Sequence, residues 1–182
     1  MQPNVILVTT DQQRKDSLGA YGSSFVHTPF LDRMAENGVL FERAYCANPV
    51  CTPSRATIFS GKYVSKHGAW NVGTNVPGEI RLLPHFFKEA GYSTYHIGKL
   101  HLQAVMAGAE YSVESPEQWE SRFSRFHGPY YGFDRVELSI GHTTYGVMGH
   151  YGLWVKEKSG GAVHFPSRAR SGCSFGGEAV DW

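Results

Sequence analysis

The hydrophobic positions of this chain follow two rhythms, and each marks a different kind of element. Val5 to Thr10 is a short β-branched run, apolar in its first part. It predicts a strand buried on both faces, as in a parallel sheet. The run stops at Asp11-Gln12-Gln13, which places those side chains in the loop at the strand's carboxyl end, the edge where open α/β sheets bind ligands. Thr28-Pro29 reads as an N-cap followed by proline at the first helical position. Phe30, Leu31, Met34 and Ala35 then form a helical stripe, with Gly38 as its C′ residue. Val39 to Ala44 is a second candidate strand. Thr52-Pro53 repeats the cap-and-proline start, and Gly61 closes that helix. Leu82, Leu83, Phe86 and Phe87 give an apolar face on a helix ending before Gly91. Ser93 to Ile97 and Arg135 to Ile140 are the third and fourth strands. Strands alternating with helices predict an α/β fold with a mostly parallel sheet flanked by helices.

The rhythm weakens between Ala104 and Tyr131. Glu117 to Phe126 reads as a helix, and the rest as a long excursion over the surface. Beyond Trp154 it disappears, and Ser159-Gly160-Gly161 and 171–177 are rich in glycine and serine. Residues 1–154 are therefore read as one patterned domain portion and 155–182 as an irregular tail. No internal repeat is visible.

Composition narrows the function classes. The chain has 182 residues, of which 41% are hydrophobic and 14% aromatic, and a net charge of +1. That suits a globular domain with its own core. Scattered basic residues give no footprint for nucleic acid or an anionic membrane. The three cysteines, Cys46, Cys51 and Cys173, form neither a CxxC pair nor an even framework. The opening residues lack the pattern of a signal peptide, so a soluble cytoplasmic protein is expected.

The chemistry concentrates around Cys51. It precedes a proline-started helix, where unsatisfied backbone N–H groups and the positive end of the dipole favour a thiolate or an anionic substrate. Taken alone, the residue also fits a buried small hydrophobe or an ordinary thiol nucleophile. Arg55 lies one turn further along the same face, and its guanidinium fork suits oxyanions. Lys99 and His101 follow the third strand. Two apart on an extended segment, they would point the same way. Asp11 by itself reads as a turn cap, and Asp16 as a turn or helix-start residue. His142 and His150 read as loop residues, with Lys62 and His67 as possible supports of the motif.

Cys51-Thr52-Pro53-Ser54-Arg55 and its continuation Ser60-Gly61-Lys62-Tyr63 resemble the signature of the type I sulfatases. Pro3-Asn4-Val5 through Arg14 resembles that family's first strand and metal loop. Gly98-Lys99-Leu100-His101-Leu102 resembles its second active-site segment, with Leu100 where tryptophan is commoner. The resemblance spans roughly residues 3 to 102 well and 132 to 154 weakly, the N-terminal portion of the family's alkaline-phosphatase-like fold.

The resemblance implies a sulfuric ester hydrolase. Cys51 would be converted to formylglycine by the formylglycine-generating enzyme. One hydroxyl of the aldehyde hydrate would attack the sulfur of a small-molecule sulfate ester; the second would later expel sulfate. Arg55 and Lys99 would stabilise charge on the oxygens, and His101 would bond the hydrate or assist proton transfer. Asp11, Gln12 and residue 51 would bind a divalent cation, calcium first, with manganese or magnesium as alternatives. Gln12 stands where a second aspartate is commoner, leaving the site one negative charge poorer. The family's later metal ligands and second lysine have no counterpart in this sequence; Asp134 and Asp181 lack the setting. The expectation is about half an active site, without efficient turnover from these residues alone. A phosphonate monoester or phosphodiester hydrolase of the same superfamily is the alternative within the fold, and a non-catalytic binding remnant the alternative outside it.

Overall fold

The structure, a computed structural model, describes residues 2–105, 112–141 and 148–161. Cys173, His142, Asp181 and the glycine-serine segment 171–177 lie outside the described residues. The chain divides into two compact units, Met1–Tyr45 and Cys46–Trp182.

The first unit contains two short 3₁₀ turns, Lys15–Ser17 and Gly19–Tyr21, and helix α1, Pro29–Asn37. Thr28 is the N-cap residue of α1 with proline behind it, as its sequence predicts, but its side chain makes no capping bond. The hydroxyl instead donates to Asp32 Oδ1 at 2.9 Å and accepts from the Gly19 N–H at 2.8 Å. Asp32 Oδ1 also accepts the Ala20 N–H at 2.7 Å, so one carboxylate ties α1 to the second turn. The two strands expected here, over Val5–Thr10 and Val39–Ala44, are irregular backbone. Val5, Ile6, Leu7 and Val8 are exposed, as are Phe30 and Met34 of the predicted helical stripe. A parallel strand exists only through neighbours that accept and donate along its edges. An apolar run without such neighbours keeps its composition and loses its conformation.

The second unit holds the ordered core. Its elements are α2 (Cys51–Ser60), α3 (Val64–His67), α4 (Leu83–Glu89), β1 (Tyr95–Gly98), α5 (Pro116–Gln118), a π turn (Trp119–Phe123), β2 (Arg135–Ile140) and α6 (Gly149–Lys158). β1 and β2 pair in parallel, Tyr95 opposite Arg135 through Gly98 opposite Leu138. Parallel pairing requires a crossover, and α5 lies within it. Val136, Leu138 and Ile140 alternate into the core, whereas Ile97 of β1 is 82% exposed. The sheet therefore has one face covered and is the incomplete parallel sheet of an α/β fold.

Local chemistry explains the helices. α2 begins at Cys51, with Val50 as N-cap, two residues before the start expected from Thr52-Pro53. Pro53 still falls in the first turn, where a missing N–H costs nothing. Gly61 closes the helix with φ +64, a left-handed cap that donates to the Thr57 carbonyl. At α4 the His85 ring reaches back to accept the Leu82 N–H at 3.1 Å. Leu82 is in the core, but Phe86 is half exposed beneath the Arg81 guanidinium.

Four further expectations are corrected. The excursion after Ala104 is not superficial: Ser112, Val113, Glu114 and Ser115 are buried, and Trp119 anchors the π turn at 2% exposure. The segment expected as helix 117–126 is one helical turn continued by that π turn. The boundary placed at 154 falls inside α6, which continues to Lys158. His150, read as a loop residue, is buried in the first turn of that helix.

Candidate active site

Asp11 and Gln12 lie in the first unit, both exposed. Gln12 adopts φ +53, a left-handed conformation uncommon for a residue with a Cβ and frequent at functional turns. Their donors, a carboxylate and an amide carbonyl, are hard oxygens that suit calcium or magnesium in kind. Two such groups are fewer than the six to eight oxygens that calcium takes. Asp16 is engaged elsewhere: the Arg14 guanidinium donates to it from Nε at 2.9 Å, which holds its carboxyl below the usual range.

In the second unit, Cys51 is the first residue of α2 and a half-buried free thiol. Its position puts it beside first-turn amides that lie outside the helical ladder and at the positive end of the dipole. Arg55, one turn on, is 8% exposed. Its Nη1 crosses to donate to the Lys99 carbonyl at 2.5 Å. Thus the signature helix and the segment after β1, 44 residues apart in sequence, are joined directly.

The Lys99–His101 segment departs from its expected shape. Gly98 has φ +110 and His101 φ +60, so the backbone turns instead of remaining extended. Simple alternation no longer relates the two side chains: Lys99 is half-buried and His101 is 1% exposed. Glu114 lies against this turn. Its carboxylate accepts the N–H groups of His101, of Leu102 at 2.8 Å and of Gln103 at 3.1 Å, as well as the Tyr130 hydroxyl at 3.0 Å. Burial pushes the Glu114 carboxyl upward, against the opposing pull of these donors. No sequence rule pointed to Glu114, because its contacts are mostly to backbone and lie outside any helical or strand period.

Three histidines surround this framework. His67 accepts the Ala69 N–H at Nδ1 (3.2 Å) and meets the Thr57 hydroxyl through Nε2 (3.1 Å), which ties α3 to the back of α2. Burial lowers its pKa. His96 on β1 packs edge-on against Phe59 and tilted against Phe133. Burial pushes it down to about 4, with the Arg55 charge adding to the shift, so it is neutral at pH 7. His150 accepts the Leu138 N–H at Nδ1 (2.8 Å).

His127, Glu137 and His150 bring three possible metal donors within 4.8 Å of one another. Two imidazoles and one carboxylate suit zinc in kind. The tautomer opposes it. Because His150 Nδ1 accepts an amide proton, its neutral ring carries hydrogen on Nε2 and has no lone pair there; ligating histidines have the reverse pattern. Burial alone would raise the Glu137 carboxyl; the Arg135 hydrogen bond and the two histidines outweigh it and hold it low. Asp134 is similarly committed, bonded by Lys88 at 2.7 Å and by the Thr94 N–H at 2.8 Å.

A helix-start cysteine and a buried arginine bonded to the backbone of a lysine-histidine turn, beside a parallel sheet, make up the candidate site. The sulfatase family model matches residues 3–142, and the chain belongs to the sulfatase family. It is 34% identical to an arylsulfatase of Clostridium perfringens over 88% of this chain and 31% of that protein. It is 35% identical to YidJ, an uncharacterised sulfatase of Escherichia coli K12, over 76% of this chain and 27% of that one. The crystal structure of a phosphonate monoester hydrolase of Agrobacterium radiobacter superposes with a TM-score of 0.62 at 25% identity, covering 87% of this chain and 29% of that chain. The chain thus spans roughly a quarter to a third of the length of these relatives.

Proposed function

We propose that this chain is the nucleophile-bearing portion of a sulfuric ester hydrolase in which residue 51 is formylglycine made from cysteine. The observation that carries the reading is the Cys51-x-Pro53-Ser54-Arg55 motif on the first turn of α2, with Arg55 bonded to the Lys99 carbonyl. That bond gives the signature a structural partner in the second segment of the site. An aldehyde hydrate at position 51 supplies the nucleophile, and the first-turn amides and dipole of α2 favour an anionic ester beside it. Lys99 neutralises charge on the transferred group, Arg55 holds the segment that carries Lys99, and His101 manages the proton. Asp11 and Gln12 would hold a divalent cation, which when bound polarises oxygen and lowers its pKa. Calcium is the proposed ion, since both donors are hard oxygens. Formylglycine-generating enzyme is the proposed partner during synthesis.

The phosphonate monoester reading is retained beside the sulfate one, favoured by the likeness to the Agrobacterium radiobacter enzyme over most of this chain. Two measurements decide. In protein from cells that make the generating enzyme, the tryptic peptide 44–55 is expected to carry an aldehyde in place of the Cys51 thiol; an unmodified thiol overturns the reading. The full-length protein is expected to hydrolyse an aryl sulfate faster than an aryl phosphonate ester; the reverse order selects the second reading.

A further inference from the structure

We infer that Glu114 is the positioning residue of the site, its carboxylate fixing the turn from which Lys99 and His101 project; this rests on the functional reading of those two residues given above. β1 ends at Gly98, and the backbone beyond it leaves the sheet through a left-handed residue at His101. The amides of 101, 102 and 103 therefore lose strand partners in a region where His101 and Leu102 are 1% and 0% exposed. Buried amides without acceptors are costly. Glu114 supplies the acceptor for all three, Oε2 to His101 and Oε1 to Leu102 and Gln103, with the Tyr130 hydroxyl completing Oε1. All four partners are donors, the surroundings of a carboxylate anion.

The clamp is itself clamped. The Glu114 N–H donates to Ser112 Oγ at 3.2 Å, and that hydroxyl donates to the Ala104 carbonyl at 2.6 Å. The Val113 N–H donates to Gln103 Oε1 at 2.8 Å, and the Ala104 N–H to Asn75 Oδ1 at 2.7 Å. On the far side Arg55 grips the Lys99 carbonyl. A buried carboxylate used only as filler would be costly. An apolar residue of equal volume would pack as well and leave three amides unsatisfied. The arrangement has its simplest use in holding His101 in a conformation that it would otherwise avoid.

Glutamine at 114 separates positioning from packing. It keeps the shape, but with its oxygen toward Leu102, Gln103 and Tyr130 it turns an NH₂ donor against the His101 N–H. The full-length protein is compared with E114Q, E114D and the surface control E157Q, all made with the generating enzyme, using an aryl sulfate as probe. With equal conversion of residue 51 and intact melting, E114Q is expected to lose at least about tenfold in kcat with KM within about threefold. Hydrogen exchange should rise in the peptide spanning 99–105. A folded E114Q with kcat within about twofold of the parent overturns the inference. If E114Q does not fold, E114D is read by the same criteria; failure of both to fold overturns it, assigning Glu114 to the fold alone. If the parent hydrolyses neither sulfate nor phosphonate ester, the reading of residue 51 fails. The ring signal of His101 in ¹³C-histidine-labelled protein then decides: displaced in E114Q it upholds the clamp, unmoved it overturns it.

Discussion

The guanidinium of Arg55 donates to the backbone carbonyl of Lys99 at 2.5 Å, so the residue one turn beyond Cys51 grips the second candidate segment through its main chain. Arg55 is 8% exposed, and losing a buried charged donor costs more than losing a surface one. R55A is expected to lower stability by about 1–3 kcal/mol and activity by about a hundredfold. R55K keeps the charge but not the fork, and should recover part of the stability and little of the activity. Urea unfolding and steady-state kinetics on the full-length protein check both. An R55K variant as active as the parent would mean that the charge alone suffices and the fork geometry is irrelevant.

Gly149 starts α6 with φ +82, and a Cβ there would overlap the Leu138 carbonyl of β2. Backbone lies against backbone, so no side chain can move aside. G149A is expected to destabilise by more than about 2 kcal/mol through strain and displacement of α6. Its measurement is a shift of the urea midpoint with little change in slope. A neutral G149A would show that α6 is not seated on β2 in solution.

Elements specified by neighbouring residues were legible in the sequence; those specified across the chain were not. Thr28-Pro29, Pro53 and Gly61 are local signals, and α1 and α2 stand where they point, within two residues. β1 and β2 stand within two residues of the strands expected over 93–97 and 135–140. Val5–Thr10 carries an equally good signal and forms no strand, because a ladder is a property of pairs. α6 escaped notice because Tyr151, Leu153 and Trp154 are about half exposed and draw no apolar stripe; it is seated by Gly149, His150 and Gly152. Within the proposed site, Cys51, Arg55, Lys99 and His101 were legible as candidates through motifs that resemble the family's. Glu114 was not, since a carboxylate that serves backbone amides leaves no trace in periodicity. The same clamp explains why alternation failed at Lys99 and His101: Gly98 and His101 both take positive φ.

Asp11 and Gln12 set the charge of the proposed cation site. Replacing Gln12 by aspartate adds a negative charge and should tighten calcium binding to the full-length protein by about tenfold. Asp11→Asn removes one and should weaken it by at least as much. Calorimetric titration with calcium chloride reads both changes. Opposite signs for the two variants support the assignment; no change in either removes these residues from the site.

His96 makes the fold's stability depend on pH. In the native protein it is held at about 4, chiefly by burial and then by the Arg55 charge, against an ordinary value of 6.5. The neutral ring is therefore the native form. Below pH 6.5 the unfolded chain binds a proton that the folded chain refuses, so stability rises with pH across this window. The contribution is fully present above pH 6.5 and is lost as pH falls toward 4. The shift corresponds to about 3 kcal/mol. His67 and His150, lowered in the same direction by burial, steepen the same limb. His96→Phe preserves a ring against Phe59 and Phe133 and removes the titration. Its unfolding free energy between pH 7 and pH 4.5 should fall by about 2–3 kcal/mol less than that of the parent. Parallel curves for the two proteins would place the acid sensitivity elsewhere, whereas a flattened curve for H96F assigns it to this ring behind Arg55.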